Sequence, residues 1–147
     1  MNNFILAFLI FSNPGSSKIG LKISISGAIL PSISFMYEFD RKNAVEFSFA
    51  GLPVQGTFIF RYEVNYLFKP RTKRNLASCF KAGFGHMGGE GKHLFDFHPE
   101  IGGVYTGFKK WDLYFGGGIL AIFKMVNVER KGIMFAPIFN FAGMYKL

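Results

Sequence analysis

Polar and apolar residues alternate with a period of two through most of the chain. The stretch "GTFIFRYEVNYLFKP" at 56–70 is the clearest case: Phe58, Phe60, Tyr62, Val64, Tyr66 and Phe68 share one parity, and Thr57, Arg61, Glu63 and Asn65 share the other. Successive side chains of a strand point to opposite faces, so the pattern predicts a strand with one apolar and one polar side. No segment sustains the i, i+3, i+4, i+7 spacing of an amphipathic helix. The same alternation runs through Leu21, Ile23, Ile25 and Ile29 in a first strand. Past Pro31, a second carries Ile33, Phe35, Tyr37 and Phe39, and a third carries Val45, Phe47 and Phe49. The stretch at 56–70 is the fourth. A fifth sets Phe80, Ala82 and Phe84 against Cys79, Lys81, Gly83 and Gly85, and leads into the polar loop "HMGGEGKH". Three more follow, marked by Phe95, Phe97 and Ile101, by Leu113, Phe115 and Ile119, and from about residue 132 by Ile133, Phe135, Phe139, Phe141 and Tyr145.

Eight successive strands on short connections predict an antiparallel meander, and closure into an up-and-down barrel removes its exposed edges. Several segments reach ten residues or more. That exceeds the usual soluble strand of about five to six and matches the roughly nine to eleven needed to cross a bilayer at a tilt. The expected fold is therefore all-β, an eight-stranded antiparallel up-and-down transmembrane β-barrel.

Composition supports strands and tight turns: of 147 residues, twenty are Phe, six Tyr and eighteen Gly. The length suits one domain, a barrel over 19–147. Residues 1–18 contain an apolar run at 4–11 with the length of a signal-peptide h-region, too short for a spanning helix. No Lys or Arg precedes it and no A-x-A site follows, so an ordered segment packed on the barrel stands as the alternative. The lone Cys79 excludes an internal disulfide and a thiolate metal site. The net charge is +8, and Arg41, Lys42, Lys69, Arg71, Lys73, Arg74, Lys109 and Lys110 fall in three short breaks between apolar segments. They are not interleaved with aromatics on one face, so nucleic acid is not the expected partner.

Side-chain size indicates which face is inside. Eight strands enclose a space only just wide enough for side chains to fill. One face offers Ser24, Ser26, Ala50, Gly83, Gly85, Gly102, Gly116 and Gly118 with a near-balanced set of charges: Lys22, Glu38, Glu46, Arg61, Glu63, Lys81, Asp96, Glu100 and Lys124. That set fits a narrow lumen, plugged by its own salt bridges, and the Phe and Tyr side chains do not. Against lipid, the aromatic face is solvated by acyl chains, with Tyr37, Tyr62, Tyr66, Tyr105 and Tyr145 as interface residues. The alternative is a soluble barrel with the aromatics inward around an apolar ligand.

These residues resemble the small bacterial outer-membrane β-barrels of the OmpA/OmpX type. The likeness covers about 19–147 and rests on the short turn in "YEFDRKNAVEFSF", the Gly-containing first strand and the last strand "IFNFAGMYKL". It implies outer-membrane location, contact with outer-membrane lipid, recognition of the last strand by the barrel-assembly machinery, and both termini in the periplasm beside the basic turns. Leu147 stands where the family usually ends in Phe.

The richest chemical group is His86, Glu90, His93, Asp96, His98 and Glu100 around "HMGGEGKH". His86, Glu90, His93 and His98 are weak metal candidates, because their spacing matches no metalloenzyme motif. Ser78, the outward serine, lies about eight residues from His86 at roughly 3.3 Å each, too far for a nucleophile and its base. The expectation is a protein without cofactor or enzymatic activity, serving a structural, adhesive or envelope-interaction role. A lipid-modifying enzyme or narrow channel is the alternative. Oligomeric state is not legible.

Overall fold

The computed structural model describes residues 16–25, 29–54, 56–70, 72–73, 75–127 and 132–147. Its strands are β1 (Ser16–Ile25), β2 (Ile29–Glu38), β3 (Asn43–Val54), β4 (Thr57–Phe68), β5 (Thr72–Lys73), β6 (Leu76–Gly89), β7 (Lys92–Tyr105), β8 (Trp111–Val126) and β9 (Met134–Lys146). β5 is a two-residue strand that pairs only with the start of β6. The other eight form the wall. Each pairs antiparallel with its neighbour in sequence, β1 pairs with β9, and β4 pairs with β6 from Phe60↔Gly88 to Phe68↔Phe80. The sheet is thus a closed eight-stranded antiparallel barrel with no free edge.

Three boundaries differ from the expected ones. Pro31 does not start the second strand: it lies inside β2 opposite Ile23, and Ile29 belongs to β2 rather than β1. The proline is tolerated because β2 pairs with β3 only from Ile33 onward, so near Pro31 the ladder to β3 is not made. "HMGGEGKH" is mostly strand, not loop. β6 runs to Gly89, β7 starts at Lys92, and the turn is Glu90 and Gly91 alone, with φ of 51° and 70°. Positive φ at both central residues is the type I′ requirement, which matches the twist of the flanking strands. The last strand starts at Met134 rather than near 132.

Burial follows parity. Outward positions are largely exposed, among them Phe84 at 63 %, Phe135 at 71 % and Leu21 at 70 %, whereas Lys22, Lys81, Glu46, Asp96 and Glu100 are almost completely buried. Water-soluble folds hide the first set and expose the second. This wall is inverted. Of the five tyrosines expected on the outside, Tyr62, Tyr66 and Tyr105 are exposed and Tyr145 is partly covered. Tyr37 is an exception at 4 % exposure, with Phe39 packed edge-on against its ring at 5.2 Å.

The interior is layered. Around the middle it is polar. Toward the end that carries the last strand's terminus, Met36, Ala44, Leu67, Ala77, Cys79, Val104, Ala142 and Met144 form an apolar cluster with Tyr114. Toward the other end Leu120 and Ile138 are buried.

Candidate functional site

Parity delivers charged side chains from every wall strand except β2, β8 and β9 into the middle layer, and those three add Ser34, Tyr114 and Asn140. Arg61 is central. Its guanidinium donates to both oxygens of Asp96, at 2.6 and 3.0 Å, and its Nε donates to Glu63 at 2.7 Å. The planar fork grips both oxygens of Asp96 in parallel while its Nε reaches Glu63, a bidentate geometry that a lysine ammonium does not offer. Lys22 pairs with Glu63, lies 3.4 Å from Glu46 and donates to the Ser48 hydroxyl at 3.1 Å. Glu46 also accepts from Ser34 at 3.0 Å and Ser48 at 2.9 Å.

His98 joins the two sides of this network. Its Nδ1 is 2.8 Å from Asp96 and its Nε2 is 2.7 Å from the Asn65 side-chain oxygen. On the far side, Glu100 accepts from Tyr114 at 3.0 Å and Asn140 at 2.7 Å. Lys81 lies 3.0 Å from Glu100 and 4.8 Å from the centre of the Tyr114 ring, a charge contact without a directed hydrogen bond. Lys22, Arg61 and Lys81 thus meet four carboxylates, and His98, when protonated, makes the fourth cation. Unpaired charge at this depth is costly, so mutual neutralisation is what allows the set to be buried.

Glycine supplies the room. A Cβ on Gly83 would sit 1.8 Å from the Asn65 oxygen, one on Gly85 2.6 Å from Arg61 Nη2, and one on Gly116 2.3 Å from the Tyr114 hydroxyl. The small residues of the inward parity are therefore the space into which the large polar ones fold.

The fold has solved counterparts. The N-terminal β-barrel domain of Pseudomonas aeruginosa OprF aligns with a TM-score of 0.66 at 12 % identity, over 90 % of this chain and 99 % of that one. Neisserial surface protein A aligns at 0.51 and 10 % identity, over 90 % and 94 %. The fold resembles that of small bacterial outer-membrane barrels. No protein-family model matches the chain, and no curated protein does.

A second ionic group closes the end that carries the last strand's terminus. Lys18 contacts Asp112 at 2.5 Å and Glu38 at 2.9 Å, Lys69 also pairs with Glu38, and Lys146 contacts Asp112 at 2.9 Å. Glu38 therefore belongs to this rim and not to the middle layer. Lys18 and Asp112 were readable from parity, but each sits beside a break and resembles a turn residue. Tyr114 was hidden between Leu113 and Phe115 in an apolar run.

At the opposite end the histidines separate. His98 is in the plug, while His86 and His93 are on the outer side of the β6–β7 hairpin, with His86 Nε2 3.0 Å from His93 Nδ1. His86 stacks on Phe95 at 4.4 Å and meets Tyr62 at 4.8 Å. Glu90, in the turn, hydrogen-bonds Thr57. No group of three or more His, Cys, Asp or Glu that could hold a metal ion occurs among the described residues. The Lys124 side chain lies outside the described residues. The β7–β8 register shifts between Phe95, opposite Lys124, and Asp96, opposite Ile122. Phe123 is the extra residue of that bulge.

Proposed function

We propose that this chain is a bacterial outer-membrane barrel of the OmpA/OmpX kind, without enzymatic activity. Its plugged interior leaves a structural, adhesive or envelope-interaction role to its ends and outer wall. The observation that carries this reading is the inverted wall, with an apolar aromatic face exposed all round and the charges paired inside. In water that arrangement exposes far more contiguous apolar surface than a soluble monomer tolerates, and in a bilayer the closed sheet pairs its backbone strand to strand with no open edge toward lipid. Strands of ten to sixteen residues are long enough to cross. The likeness in fold to OprF's barrel domain and to Neisserial surface protein A supports the same location.

On this reading the apolar segment ahead of β1 is an export signal, and β9 is the strand offered to the barrel-assembly machinery. The end that holds the last strand's terminus and the basic turns faces the periplasm. The paired middle layer and the apolar cluster beneath it favour a plug over an ion path.

Cell fractionation tests the proposal. Recovery in the detergent-extracted outer-membrane fraction is expected, and recovery in the soluble fraction without detergent contradicts it. Planar bilayers should show no conductance steps. Steps would replace the plug with a narrow channel.

A further inference from the structure

The basic turns have no part in the reading above. Topology places residues 39–42, 69–70, 72–73, 75 and 106–110 at the same end of the barrel. Their described cations are Arg41, Lys42, Lys69, Lys109 and Lys110, against one acid, Asp40. Arg41, Lys42, Lys109 and Lys110 are exposed and form no ion pair with a carboxylate among the described residues, and Asp40 is occupied by its own turn, accepting from the Lys42 and Asn43 amides. The neighbouring rim acids, Glu38 and Asp112, are already held by Lys18, Lys69 and Lys146. Among the described residues, the charge of Arg41, Lys42, Lys109 and Lys110 is uncompensated.

On the outer wall above it lies a groove of about 600 Å³. Its floor is Ala82, Pro99 and Gly117, and Phe68, Phe80 and Ile119 stand among its sides. It forms because three small outward residues meet on adjacent strands, and because the β7–β8 pairing skips from Phe97↔Ala121 to Glu100↔Gly118 around Pro99, which has no amide to give. At its basic end, Phe68 is followed directly by Lys69. The strands on its other side, β7 and β8, are joined by the turn carrying Lys109 and Lys110.

We propose that this groove and these turns form a binding site for one anionic glycerophospholipid, with an acyl chain in the groove and the phosphate headgroup against the basic turns. The inference rests on the membrane reading, since the groove meets acyl chains only if the wall does. The chemistry at each end selects this occupant. The groove lining is mostly apolar and aromatic, and its two charged residues, Lys81 and Glu100, are buried and paired with each other inside the barrel. Basic residues at a membrane surface attract anionic lipid, each by about 1 kcal/mol, and this attraction weakens as salt screens it.

The test uses the full chain folded in a mild detergent, with heat-modifiable gel migration confirming the closed barrel, and native mass spectrometry to count bound lipid. Phosphatidylglycerol should bind in preference to phosphatidylcholine with the same chains. The double substitution K109Q/K110Q should lower phosphatidylglycerol binding by about fivefold per lysine at low salt and leave phosphatidylcholine unchanged. Ala82→Phe, which fills the groove floor from the outer face, should lower both. Equal binding of the two lipids by a closed barrel overturns the inference and leaves the membrane reading standing. A dimer that Ala82→Phe dissociates also overturns it, by giving the groove to a second copy. Recovery as a soluble protein sinks both readings together.

Discussion

Charge is handled in opposite ways at two levels of this barrel. In the middle layer Arg61, Lys22 and Lys81 are each held by a carboxylate from a different strand or from two positions along. At the basic end Arg41, Lys42, Lys109 and Lys110 project without a carboxylate. Depth accounts for the difference. A buried charge must be matched within the fold, whereas a charge at a rim keeps its water and can remain available to a partner. The middle layer thus holds the wall together, and the basic end gives the protein its net charge.

The largest way to break the comparison is to remove one member of the plug. Arg61→Ala leaves Asp96 and Glu63 without their shared cation, and urea unfolding in detergent should show a loss of about 3–5 kcal/mol. A value within the range of a surface substitution would mean that the middle layer is wet and weakly coupled. Gly83→Val comes next: with Asn65 and His98 in the space its side chain needs, overpacking should cost about 1–3 kcal/mol and lower the temperature at which the compact gel band converts. At the other level, Lys42→Gln should change unfolding by no more than about 0.5 kcal/mol. A loss comparable to that of Arg61→Ala would remove the distinction between the two levels.

The smallest effect concerns the turn at 39–42. Hydrogen bonds from the Asn43 side chain and then from the Lys42 amide hold the Asp40 carboxyl below its ordinary range, with the Asn43 amide adding to them. A lowered folded-state pKa contributes stability above the ordinary carboxylate range, and that contribution is lost as pH falls through the lowered value. The gap in unfolding midpoint between the wild type and Asp40→Ala should therefore narrow on acidification, and a gap that widens would reverse the sign.

Most of the fold could be read from alternation, because a period of two admits only strands, and aromatic strands of this length without edges admit few closures. Parity also placed Arg61, Glu63, Asp96 and Glu100 on one face together. What alternation could not convey was vertical position. Met36, Leu67, Val104 and Met144 share the polar parity but are apolar, and only the register stacks them into a layer beneath the charges. Glu38 shares that parity too, and register moves it to the rim beside Lys18 and Lys69.

Local misreadings had local causes. The glycines and histidines of "HMGGEGKH" mimic loop composition, although only Glu90 and Gly91 have the backbone of a turn. Pro31 has the chemistry of a breaker, but lies where one ladder is not made. Each of these depends on a strand's neighbours, which the linear pattern does not contain.

The central claim is that the aromatic wall faces lipid, and the chain's single tryptophan reports on it directly. Trp111 is 47 % exposed at the start of β8, its ring edge-on to Tyr145 at 5.2 Å. In vesicles carrying bromine at graded depths along the acyl chain, the account predicts that Trp111 fluorescence is quenched, most strongly by bromine near the headgroup, and is poorly quenched by iodide in the water. Strong quenching by iodide with none by brominated lipid would place the wall in water and contradict it.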